Sequence, residues 1–132
     1  MSLRLALTIN ALLVLVFALM FVIIPEQSMA VYGATGLTDP TITMARWFGV
    51  SIIGYAALSW LARDLPDSDA RRVIVLGLVV AWAVSTVMSL YVVLTGRVNA
   101  LGWSSVAIDL ALIALLGMHL RAKAASPPAT PA

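Results

Sequence analysis

What most restricts the fold of this chain is the absence of charge over membrane-length stretches. No charged residue lies between Leu5 and Pro25, and none between Val73 and Gly96. A lipid core of about 30 Å takes about 20 helical residues to cross at 1.5 Å each, so either run is long enough to span. The Pro25-Glu26 pair closes the first. The competing reading of that run is a cleaved signal peptide, since Ser28-Met29-Ala30 loosely suits a cleavage site. Signal peptides carry an apolar region of only about 7–15 residues, so a retained span is expected. Composition agrees: the 132 residues are 62% hydrophobic and 11% charged, with a mean hydropathy of +1.04. Soluble domains run at about 45–50% apolar and about 25% charged, so this chain lacks the polar surface of a soluble fold. With no cysteine, disulfide scaffolds, zinc ribbons, iron–sulfur sites and thiol catalysis are excluded.

Two further spans are less plain. Between Arg46 and Arg63 lie only 16 uncharged residues, roughly 24 Å of helix and short for a crossing. With Pro40 ending the loop and Thr41 or Thr43 as caps, this span is expected to begin near Thr41, which draws Arg46 into the membrane. The stretch from Val98 to Leu120 crosses only if Asp109 goes in with it. The expectation is an all-α membrane protein with four transmembrane helices in an up-down bundle, forming a single domain over 1–125. The helices are placed at about 4–25, 41–62, 70–96 and 101–121, and a Pro-rich tail over 126–132 is expected to be extended.

Basic residues concentrate on the cytoplasmic side of membrane proteins. Arg4, Arg63, Arg71, Arg72, Arg121 and Lys123 fall on one side of the four spans, and Arg46 and Arg97 on the other, which places both termini in the cytoplasm. Asp67, Ser68 and Asp69 stand ready to cap the third span after a tight turn. The longer loop from Glu26 to Pro40 would rest Val31-Tyr32 on the interface as a half-buried turn. Topology accounts for the net charge of +2, so nucleic acid is not implied.

Arg46 and Asp109 are the only charges placed at membrane depth, where each alone costs about 2.5–3.5 kcal/mol at a helix centre. Counted along their helices they lie roughly 8 Å and 12 Å down, both in the outer half, so a charge-assisted pair between them is geometrically reasonable. Two readings stand. The pair is a gate, proton carrier or headgroup clamp; or it is structural, fixing helix register, with Arg46 snorkelling and Asp109 bonded to Ser105 or protonated as the variant of that reading. Ser104, Ser105 and Ser89 lie near this depth and, with Arg46 and Asp109, could line a small polar pocket, although such hydroxyls also bond their own backbone or a neighbouring helix. Asn10 and Thr8 share the level of Ser59 and form a separate inter-helix layer in the inner half.

Gly77, Ala81, Ser85 and Ser89 recur every four residues in the third span, a small-residue stripe that lets another backbone come close, and Ala45 with Gly49 does the same in the second. Trp47, Trp60 and Trp103 fall near helix ends, where amphipathic rings prefer the interface; Trp82 lies mid-helix, as core, lipid-facing surface or the wall of a ligand site. His119, the only histidine, is expected as a solvated headgroup contact. It supplies neither bis-histidine haem nor a metal site alone, and lies roughly 21 Å along one helix from Ser105, too far for a dyad. No phosphate loop, dinucleotide fingerprint or metalloprotease motif is present.

Tyr32-Gly33, Leu37-Thr38-Asp39-Pro40, Ala45-Arg46-Trp47-Phe48-Gly49, Gly54-Tyr55 and Ser59-Trp60-Leu61-Ala62-Arg63 together resemble a loose group of small four-helix bacterial membrane proteins of unknown function. The resemblance covers residues 32–63 and implies a bacterial inner-membrane protein in which Arg46 belongs to the recurring pattern. Small multidrug-type transporters also have four helices, but carry an essential Glu in the first, where this chain has only Asn10. No cofactor, metal or catalytic set is implied, and an enzyme acting on a lipid or quinone is disfavoured because no acid, base and nucleophile converge. The favoured expectation is a non-enzymatic accessory or interaction subunit whose partners are the lipid bilayer and a membrane protein or second copy of itself. The alternative is a small transporter or lipid- or small-ligand-binding protein using Arg46 and Asp109.

Overall fold

The computed structural model describes residues 1–121, omitting the side chain of Arg121; the Pro-rich tail lies outside the described residues. The described residues form five helices and no strand: α1 Leu3–Ile23, α2 Pro25–Val31, α3 Asp39–Ala62, α4 Asp69–Leu94 and α5 Gly102–Arg121. Four of them, all but α2, are long and apolar enough to cross a membrane.

The short α2 departs from the expected loop. Pro25 has no N–H to donate into α1, so the helix stops at Ile23 and restarts at once with Pro25 in its first turn, where a missing donor costs nothing. The buried Ser28 covers the break: its hydroxyl lies 3.0 Å from the Met20 carbonyl and 2.9 Å from that of Ile24. The start of α3 differs for a related reason. Pro40 sits inside its first turn instead of ending the loop, and Thr38 rather than Thr41 or Thr43 is the cap residue. At α4 the Ser68 side chain accepts from the Arg71 N–H at 3.2 Å, with Asp69 in the first turn.

The helices pack as two pairs, α1 with α3 and α4 with α5. The first seam is built of small residues at heptad-like steps: Leu7, Ala11, Val14 and Ala18 on α1 against Ala45, Gly49, Ile52, Ala56 and Ser59 on α3, all buried. Gly49 marks the closest approach, since a Cβ there would stand 2.8 Å from the Ala18 carbonyl oxygen and 2.9 Å from Val22 Cγ2. The two pairs join firmly at one end, where Ala6, Leu7, Ala62, Val75, Leu78 and Leu116 from all four long helices form one core. Arg4 closes that end through Asp64 at 2.9 Å, and Arg63 reaches the same carboxylate at 3.0 Å. At the opposite end the loop before α5 clasps the end of α2. Asn99 donates its side-chain amide to the Val31 carbonyl at 2.8 Å and its backbone N–H to that of Tyr32 at 3.0 Å. Between the closed core and this clasp the pairs touch through Trp82 of α4 and leave a cavity beyond it.

Candidate functional site

One buried polar layer floors the gap. Asn10, fully buried on α1, donates to the Ser59 hydroxyl at 2.7 Å and accepts from the Trp82 indole N–H at 3.0 Å. Ser59 in turn donates to the Tyr55 carbonyl at 2.7 Å. Thr8 is not part of the layer, because its hydroxyl turns back to the Arg4 carbonyl at 2.8 Å. Trp82, placed at mid-helix by sequence, is half-buried core. Its ring packs against Tyr55, centroids 6.2 Å apart, and spaces α4 away from the α1/α3 pair.

Above this layer lies a cavity of about 470 Å³ with walls from all four long helices, a size that suits a single small molecule. The small-residue stripe explains part of it. Ala81, Ser85 and Ser89 line the cavity instead of pressing on a neighbouring helix, and Gly77 is exposed, with open space for 4 Å around the point where a Cβ would stand. With the Trp82 indole as spacer, no other backbone closes on these short side chains. Phe17 and Phe48 stand edge to face at 6.4 Å and, with Tyr55 and Trp82, give the otherwise aliphatic and serine-lined wall four aromatic rings. Phe48 and Tyr55 on α3 and Val84 and Met88 on α4 are both cavity-lining and exposed, so the cavity opens sideways at membrane depth.

Asp109 lies in this cavity and is 5% exposed. It follows Val106 and precedes Leu112 and Leu116 on the buried stripe of α5, which brings its carboxyl group inward toward α4. Ser89 donates to it at 3.4 Å, a long hydrogen bond. Ser105 also lines the cavity and meets the Tyr32 hydroxyl at 3.4 Å, below the loop clasp.

Arg46 is elsewhere. It is exposed, and among the described residues it makes no ion pair or hydrogen bond. The expected pair with Asp109 is therefore not formed. Depth brought the two charges to one level, but Arg46 precedes Tyr55 by nine residues, which at about 100° per residue turns it half-way round α3 from the cavity. In addition, α3 and α5 do not pack against each other. Ser104 is outside as well: it is exposed and donates to the Leu101 carbonyl at 2.6 Å. His119 also departs from its expected solvated setting, since it is half-buried beside the Leu116 core with Nε2 buried and unpartnered among the described residues. Trp47, Trp60 and Trp103 are exposed near helix ends, and the Arg63 guanidinium stacks 3.2 Å from the Trp60 ring centre.

The residues that sequence reasoning missed are the aromatic ones, Phe17, Phe48 and Tyr55. Spacing offered a signal for two of them, since Phe48 and Tyr55 lie seven residues apart on one helix face. No group of three or more metal-ligating side chains occurs among the described residues. The arrangement can hold a small apolar body against aromatic rings with one polar end at Asp109. No protein-family model, curated protein or solved structure matches the chain, so the site is read from its own chemistry.

Proposed function

We propose that this chain is a multi-pass protein of the bacterial inner membrane that binds a small amphipathic molecule in the cavity between its two helix pairs, as a ligand-binding protein or small transporter. The observation that carries this reading is Asp109, a buried carboxyl group facing a mainly apolar cavity and met by serine hydroxyls of α4, Ser89 at 3.4 Å and Ser85, with no charged partner. A polar group at membrane depth is costly unless partnered, and such groups mark substrate pathways by default. The lateral opening between α3 and α4 gives a membrane-dissolved molecule a way in. The bundle is read as up-down with both termini in the cytoplasm, because Arg4, Arg63, Arg71 and Arg72 gather at the closed end and basic residues favour that side.

Extraction in mild detergent followed by native mass spectrometry tests the reading. A small molecule that travels with the wild-type chain and is lost when Ser85→Phe fills the cavity is the expected result. The accessory-subunit reading is supported by a different observation: Gly54 and Gly77 are exposed on α3 and α4, each with 4 Å of open space where a Cβ would stand, which leaves room for a partner helix. A stoichiometric protein partner, with no small molecule, would favour that reading instead. Neither reading calls for catalysis.

A further inference from the structure

We infer that the molecule held in this cavity is an amphipathic organic cation, an amine or quaternary ammonium carried on a hydrophobic body, with Asp109 as its counter-ion; this rests on the ligand-binding reading above. Charge supplies the first argument. Among the described residues, Asp109 is the only charged one lining the cavity, and no Lys, Arg or His contributes to the wall. An ionised carboxylate offers about four acceptor positions, and here two serine hydroxyls of α4 address it, Ser89 at 3.4 Å and Ser85 beside it, with no cation among them. Arg46, the cation expected to pair with it, is exposed and turned away from the cavity on α3. A cation brought by the ligand would supply the missing partner, whereas an anionic headgroup would meet repulsion and a neutral hydrocarbon would leave the carboxyl group as it is.

The second argument is the wall across from Asp109. Phe48 and Tyr55 stand on α3, diagonal to α5, joined by Phe17 from α1 and Trp82 from α4. Aromatic faces attract a cation within about 6 Å, most strongly where water is excluded. The Trp82 N–H is already engaged by Asn10, so what that residue offers a ligand is its ring. Carboxylate on one side and aromatic rings on the other match a cationic head on an apolar body. A metal ion does not suit this site, because it would require several oxygen ligands and, among the described residues, no second carboxylate lines the cavity.

The full chain in nanodiscs of zwitterionic phosphatidylcholine, with empty nanodiscs as blank, provides the test. Equilibrium dialysis is run with benzyltrimethylammonium and with neopentylbenzene, which has the same shape but carbon in place of the charged nitrogen. Saturable binding of the cation is expected, with the neutral isostere about tenfold or more weaker. Asp109→Asn should weaken the cation by about tenfold or more and leave the isostere unchanged. Should that variant not fold, Met88→Lys, which sets a fixed positive charge at the cavity edge, takes its place with the same expected loss. Ser85→Leu, which fills the cavity and keeps the carboxyl group, should weaken both probes. Equal binding of the two probes, or a cation affinity indifferent to both charge-altering variants, overturns the cation inference while sensitivity to Ser85→Leu keeps the ligand-binding reading. Binding indifferent to Ser85→Leu, or no saturable binding of either probe, overturns both.

Discussion

Asn10 and Asp109 are both buried polar side chains at membrane depth, and the fold surrounds them in opposite ways. Asn10 has a donor and an acceptor engaged, at 2.7 and 3.0 Å, by side chains from two other helices. Asp109, the more costly group to bury, has only serine hydroxyls of one neighbouring helix beside it, Ser89 at 3.4 Å and Ser85, and no charged partner. Where backbone cannot be solvated, a satisfied polar group fixes which helices meet and at what register, while an under-satisfied one keeps its bonding capacity for something not covalently attached. The Asn10 layer stands beside a seam whose backbones close to contact at Gly49. The Asp109 site stands where four helices leave about 470 Å³. Closure on one side and space on the other set a structural layer against the proposed binding site in the same bundle.

The largest expected effect sets the two sides directly against each other. Gly49→Leu, which drives a side chain into the Ala18 carbonyl, should cost about 1–3 kcal/mol, whereas Ala81→Leu, at the cavity wall, should raise stability by about 0.5–2 kcal/mol. Thermal unfolding in detergent reads both, and equal losses would mean that the cavity is as tightly filled as the seam. Next in size, Asn10→Leu strands the Trp82 N–H and removes the donor to Ser59, whose hydroxyl keeps its bond to the Tyr55 carbonyl, and should cost about 1–2 kcal/mol. A smaller cost than that of Asp109→Leu would reverse the comparison.

A third measurement concerns the pair that does not form. In a double-mutant cycle of Arg46→Leu and Asp109→Leu, the effects on stability should add to within about 0.5 kcal/mol, and a larger coupling would place Arg46 at the site. The smallest effect belongs to the closed end. Hydrogen bonding from Arg63, aided by Arg4, holds the Asp64 carboxyl below its usual range. A carboxyl group lowered by folding stabilises the protein above its unfolded value and loses that contribution as pH falls through the folded value. Wild type should therefore lose slightly more thermal stability on acidification than Asp64→Asn does, and indifference to that substitution would remove the ion pairs from the account.

Much of the fold was legible because membrane thickness converts directly into residue count, and the spans from Leu5 and Val73 follow from charge spacing alone. What depth arithmetic could not supply was direction around a helix axis and the order of helices around the bundle. Arg46 shows the loss: its level was recoverable, but its neighbours depend on which helices pair. Asp109 shows the gain, since an acidic residue in an apolar run is conspicuous at any orientation. The helix from Pro25 to Val31 is only seven residues long and has no readable period, so Pro25 read as a stop when it is also a start. The stripe from Gly77 to Ser89 was visible, but small residues license a close approach without compelling it, and here Trp82 holds the neighbour away.

The polar floor has a direction. The Trp82 indole donates to Asn10, Asn10 donates to Ser59, and Ser59 donates to the Tyr55 carbonyl, every bond pointing the same way. The sequence of donors begins and ends on residues whose rings are themselves in contact at 6.2 Å, so it closes into a loop through α4, α1 and α3. Two rings of the aromatic wall are thereby held at a fixed separation before anything enters. A guest meeting them has little of the host's freedom left to suppress, and its affinity depends on complementarity rather than on assembling its own receptor.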